Sequence, residues 1–105
     1  MMVVLFETRL RPDVNPADYE ATAKRMMGLA SAMPGFVSFR YFTSPEGDEL
    51  TVVQFESEPQ LLAWRNHPEH VKVQQEGRDK FFASYRVQVC SLVREYGQPG
   101  AGATS

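Results

Sequence analysis

Residues 36–56 read FVSFRYFTSPEGDELTVVQFE, and the fold turns on how their side chains divide between two faces. Alternation sets Phe36 and Phe42 on one side with Ser38 and Arg40, and Val37, Phe39 and Tyr41 on the other. Pro45, Glu46, Gly47 and Asp48 have the chemistry of a tight turn, so a return strand follows at residues 50–56. There Leu50 and Val52 oppose Val53 and Phe55. The hairpin carries large apolar groups on both faces, and each face therefore needs a cover.

On the N-terminal side, residues 3–10 alternate too, with Val4, Phe6, Thr8 and Leu10 against Val3, Leu5, Glu7 and Arg9. Asn15 is a strong helix N-cap, Pro16 suits the first helical position, and Asp18 and Glu20 fall in the first turn. Tyr19, Thr22, Met26, Leu29 and Met33 then recur at helical spacing until Pro34 and Gly35 end the run. On the C-terminal side Ser57 caps a second helix, with Pro59 just inside it and Gln60 as capping-box partner. Pro68 interrupts that helix, so a kink or fresh start is expected at residues 67–69, with the helix resuming to about Ser84. A final strand is expected over residues 85–95, with Tyr85, Val87 and Val89 against Arg86, Gln88 and Cys90.

The order is that of an α+β, ferredoxin-like βαββαβ fold: a four-stranded antiparallel sheet with two helices on one face. Two helices cover one face only. The other is expected to pack on its twin in a sheet-to-sheet homodimer barrel, and a long last strand could reach across to the neighbour. A single domain over residues 1–96 is expected, followed by a disordered C-terminal tail at 97–105, GQPGAGATS.

A formal charge of −2 with mixed signs leaves no electrostatic footprint for nucleic acid or a membrane surface. Cys90 is the single cysteine, which excludes an internal disulfide, and its place in a strand suggests a buried, inert thiol. The N-terminal apolar run is short and has no basic leader, so a cytoplasmic protein is expected. No glycine-rich phosphate loop is visible, and no cofactor or metal is expected.

Polar, titratable and aromatic groups concentrate in residues 64–85, WRNHPEHVKVQQEGRDKFFASY. Read as one continuous helix, this stretch has two neighbouring stripes. Trp64, His67, Val71, Gln75 (or Gln74), Arg78 and Phe82 form one; Asn66, His70, Val73, Gly77 and Phe81 form the other. Either choice turns a histidine towards the sheet, and the break at Pro68 leaves the choice open. A histidine can take a proton from a phenol or enol near neutral pH, so His67 and His70 are candidate proton acceptors. His67 could equally cap backbone donors at the helix break. Trp64 offers a flat wall for an aromatic ligand, and Asn66 and Arg78 could hold a developing oxyanion. Phe82, Tyr41 and Arg40 complete the candidate substrate-binding set. Arg40 and Glu7, each on the mixed face of its strand, could pair with one another or line a pocket.

With that topology, the run Trp64-Arg-Asn66-His67-Pro-Glu-His70 leading to Gly77-Arg78-Asp-Lys-Phe81-Phe82-Ala-Ser-Tyr85 resembles the antibiotic biosynthesis monooxygenase domain. That family belongs to the dimeric α+β barrel superfamily, and the likeness covers about residues 2–95. It implies a homodimer with a pocket between helices and sheet in each protomer. By position Trp64 matches the family's pocket tryptophan, Asn66, His67 and His70 its polar helix segment, and Arg78 an arginine further along. The activity implied is cofactor-independent oxidation of a small aromatic phenol or quinol, polyketide-like, by molecular oxygen. A non-catalytic barrel that binds an apolar small molecule is the alternative. Haem binding or degradation comes third. The haem-degrading branch has an asparagine on the first strand and a histidine ten residues after the tryptophan. Here Glu7 and its neighbours occupy the strand, and Gln74 stands at the second position.

Overall fold

In the computed structural model, residues 1–98 are described, and of the tail expected at 97–105 residues 99–105 lie outside them. Strand β1 (Met2–Leu10) leads to helix α1 (Pro16–Ala32), and strands β2 (Phe36–Thr43) and β3 (Glu49–Phe55) form the hairpin. Helices α2 (Glu58–Arg65) and α3 (Pro68–Glu76), a π turn (Gly77–Phe81) and strand β4 (Phe82–Ser91) complete the chain. The sheet is antiparallel with order β2-β3-β1-β4. The ferredoxin-like α+β fold is as the sequence predicts, with the second helix divided in two at Pro68.

Local chemistry sets the element ends. The Asn15 side chain accepts from the backbone N–H groups of Ala17 and Asp18, and Ser57 Oγ accepts from Gln60 N. Gly47, at φ +91°, turns the hairpin in a region that favours glycine. The last helix is shorter than expected: it ends at Glu76, the π turn follows, and β4 starts at Phe82 rather than Tyr85.

Two register shifts decide where aromatic rings go. Phe36 pairs with Phe55 while Ser38 pairs with Gln54, so Val37 is an extra residue and Phe36 swings to the helix side. Its ring meets Phe55 edge-on at 6.0 Å, away from the face that alternation predicts. Likewise Arg9 pairs with Ser84 and Leu10 with Phe82, so Ala83 is extra and Phe82 lies on the same face as Tyr85. The core forms between helices and sheet around Val4, Ala30, Val53, Phe55, Leu61 and Trp64. Phe55 and Val53 are its largest fully enclosed side chains.

Among the described residues no helix covers the other face. By register it carries Val3 and Leu5 of β1, Leu50 and Val52 of β3, and Phe42 of β2. Charged pairs stand beside this apolar patch: Arg86 with Glu7 at 3.3 Å and Arg9 with Asp48 at 2.8 Å. Glu7 therefore pairs with Arg86 and not Arg40, whose guanidinium sits 5.0 Å from the Phe42 ring centroid. Cys90, expected to be buried, is exposed because β4 is an edge strand. The helices also leave β4 bare on their own side, where Tyr85, Val87 and Val89 are nearly half exposed. Among the described residues no helix is long and apolar enough to cross a membrane.

Candidate functional site

The break between α2 and α3 builds the site. Asn66 ends α2 by donating its backbone N–H to Leu62 O at 2.9 Å, and α3 begins at Pro68. His67 Nδ1 accepts from Glu69 N at 3.2 Å, the helix-capping role open to it from sequence. The break resets the helical phase. Trp64 comes from one sequence stripe and His70, Val73, Gly77 and Phe81 from the other, and all five are buried.

Trp64 stacks on Phe55 with ring centroids 5.5 Å apart, and the His70 ring lies 4.2 Å from the indole. Trp64 Nε1 is the one buried side-chain polar atom among the described residues with no hydrogen-bond partner. Such an orphan donor costs about 1–3 kcal/mol relative to a satisfied one. His70 Nδ1 stands 3.1 Å from the backbone carbonyl of Arg65. A carbonyl oxygen only accepts, so Nδ1 carries the hydrogen, and the neutral ring keeps its lone pair on Nε2. Burial lowers the His70 pKa below the ordinary histidine value, and the charges of Arg65 and His67 add to that effect. The Arg65 carbonyl works against it by favouring the charged ring. His70 is thus a neutral acceptor at pH 7.

A cavity of about 240 Å³ lies between helices and sheet, with Val4, Phe6 and Val53 as its floor and Tyr19 and Met26 of α1 above. Trp64, His70, Phe81 and Phe82 wall one side, and Val87 and Val89 of the uncovered edge strand line it too. Tyr19 donates to Glu49 Oε2 at 2.7 Å. Burial first, and then that carboxylate, push its phenol pKa well up, so Tyr19 stays protonated and serves as wall, not base. A second chamber of about 280 Å³ adjoins the first, sharing Phe6, Arg65, Gln74, Phe82 and Val87 and adding Arg78 and Tyr85.

Of the residues singled out from sequence, Trp64, His70 and Phe82 line the main cavity and Arg78 the second chamber. Asn66 and His67 line neither; both are taken up with the helix break. Tyr41 is 62% exposed on edge strand β2, and Arg40 lies on the uncovered face. Gln74 lines the cavity, whereas Glu7 points to the opposite side of the sheet. Phe6, the neighbour of Glu7 on that strand, lines the cavity together with Gln74, so the two segments compared with the haem-degrading branch meet there without that branch's asparagine and histidine.

Arg11 is the residue that sequence reading misses. Its guanidinium donates to the carbonyls of Asp79 at 2.8 Å, Arg78 at 2.9 Å and Phe82 at 3.2 Å, and its backbone N–H to Phe81 O at 2.8 Å. A cation at the carbonyl end of a helix is electrostatically favourable, and the rigid fork fixes the π turn that positions Arg78, Phe81 and Phe82. Gly77 opens that turn, and a Cβ there would overlap the Phe82 ring. No local signal marks Arg11, because these side-chain partners lie 67 to 71 residues away.

Comparison with known proteins places this geometry. A family model described as antibiotic biosynthesis monooxygenase matches residues 1–76. The uncharacterized protein YqjZ of Bacillus subtilis (strain 168) is 33% identical over 81 residues, covering 77% of this chain and 71% of that protein. Among solved structures, SnoaB from Streptomyces nogalater, a cofactor-independent oxygenase, superposes with a TM-score of 0.77 at 10% identity. The match covers 92% of this chain and 97% of that one. A dimeric ferredoxin-like protein of Thermobifida fusca gives 0.69 at 17% identity over 88% and 92% of the two chains. At these identities the two structures show a shared fold.

Proposed function

Because this chain belongs to the antibiotic biosynthesis monooxygenase family, we propose that it oxidises a small aromatic phenol or quinol with molecular oxygen, as a homodimer and without a cofactor. The observation that carries the reading is a neutral, buried His70 beside Trp64 in an apolar cavity of small-aromatic size. His70 Nε2 takes the phenolic or enolic proton, and Trp64 and Phe82 hold the ring. The resulting anion is electron-rich and itself reduces oxygen. One oxygen atom joins the ring carbon and the other leaves as water with the two hydrogens the substrate loses, the hydroxyl proton taken by His70 and the hydrogen of that carbon. The apolar walls keep water from the intermediate. The absence of a needed cofactor is supported by the likeness to SnoaB.

An anthrone is a suitable probe, since its ring CH2 is acidic through a phenolic tautomer. Oxygen uptake matched one to one by quinone formation, above the rate without protein, is the expected result. A protein that binds the anthrone yet leaves its oxidation rate unchanged is a binder, and the enzyme reading fails.

The homodimer rests on the uncovered patch of Leu5, Leu50, Val52 and Phe42 with charged pairs beside it, the anatomy of an interface with an apolar centre and polar rim. Light scattering is expected to give about twice the 11.9 kDa chain mass. Val52→Asp, which puts an unpaired charge into that centre, is expected to halve it. A wild-type monomer at micromolar concentration would refute the dimer.

A further inference from the structure

We infer that the second chamber is an anion subsite, so that the ligand is an aromatic molecule bearing a carboxylate or a similarly placed negative group. The inference rests on reading the main cavity as a ligand site and adds the class of ligand. Arginines elsewhere in the described chain are occupied. Arg9, Arg25 and Arg86 each lie within 4.0 Å of a carboxylate, Arg11 holds backbone carbonyls, and Arg40 and Arg94 lie over aromatic rings.

Arg65 and Arg78 differ. Both line the second chamber, and neither has a carboxylate partner among the described residues. Arg78 is steadied by Gln75 Oε1 at 3.2 Å, and Gln75 is held in turn by Asp79 at 3.1 Å. This leaves the guanidinium oriented without neutralising it. No acidic residue lines the chamber. The one carboxylate on the main cavity, Glu58, stands at the other end of α2, about 10 Å from Arg65 along the helix axis.

Two unpaired guanidinium groups beside Phe6 and Phe82 suit a flat ring with an attached anion, which each fork can bind through two parallel hydrogen bonds. Arg65 also belongs to the main cavity. A carboxylate held there would leave the ring system extending towards Trp64 and His70.

Calorimetric titration of the full chain with 1-naphthoate and its neutral isostere 1-naphthamide tests the inference. Naphthoate is expected to bind about tenfold more tightly or better. The double variant Arg65→Gln, Arg78→Gln is expected to bring naphthoate down to the naphthamide affinity and leave naphthamide unchanged, which also reports an intact fold. Equal affinities in the wild type, or an advantage that survives in the double variant, would overturn the anion subsite and leave the cavity reading standing. Failure of both compounds to bind would overturn the two together.

Discussion

Turnover of an anthrone is expected to fall by about 10²–10⁴-fold when His70 is replaced by glutamine, the range for loss of a positioned general base. Glutamine approximates the length and polarity of the ring, but its amide is no base near neutral pH. The effect should fall on kcat, with binding of 1-naphthamide nearly unchanged, because the wall of Trp64, Phe81 and Phe82 remains. The wild-type pH profile should share this origin. His70 must be neutral to accept a proton, and its pKa lies below the ordinary histidine value because it is buried. Activity is therefore expected to fall as pH drops through that lowered pKa, with a midpoint below about 6.5.

Stability has the same sign. Between the folded and unfolded pKa of His70 the unfolded chain binds more protons, so stability rises with pH across that window. The His70 contribution is in place above about 6.5 and is lost as pH falls towards the folded value. A glutamine variant within threefold of wild type would exclude His70 as the base.

Phe55→Ala is expected to destabilise the fold by about 3–5 kcal/mol, measured by urea unfolding. Phe55 is fully enclosed and stands where β3, the hairpin and α2 meet. Its ring packs edge-on against Phe36 at 6.0 Å and is stacked with Trp64 at 5.5 Å. Both neighbours are anchored by strand or helix, so the space left by the ring cannot readily collapse, which favours the upper half of the range. A domain of this size has roughly 5–15 kcal/mol of stability in all, so the variant would be marginal at 37 °C. Trp64 would lose its stacking partner, and its fluorescence should report the change before global unfolding. A loss below about 1.5 kcal/mol would mean that the core is organised around another residue.

The features that local chemistry controls were legible in the sequence. Asn15 and Ser57 cap the helices they were expected to cap, the turn falls at residues 45–48, and Pro68 divides the last helix. What escaped depends on partners remote in sequence. Alternation grouped Phe36 with Phe42, whose side of the sheet the helices leave open, and the extended helix reading ran through Phe82. Bulges at Val37 and Ala83, created by pairing with neighbouring strands, turn both rings to the helix side.

For the histidines the sequence offered two stripes and a break whose phase it left open. The turn at Asn66 and His67 shifts the register so that His70 joins Trp64 while His67 remains a cap. The Arg11 fork and the π turn it holds exist only once β1 and β4 lie side by side.

The proposed chemistry needs His70 as a neutral ring with its lone pair available to a ligand in the helix-side cavity. Long-range proton–nitrogen NMR reads this directly, and with His67 and His70 as the two histidines the assignment needs one variant. At pH 7 His70 should show a protonated Nδ1 and an unprotonated Nε2, and 1-naphthol should shift Nε2 of His70 while leaving His67 unmoved. A doubly protonated His70 at pH 7, or a response confined to His67, would contradict the account.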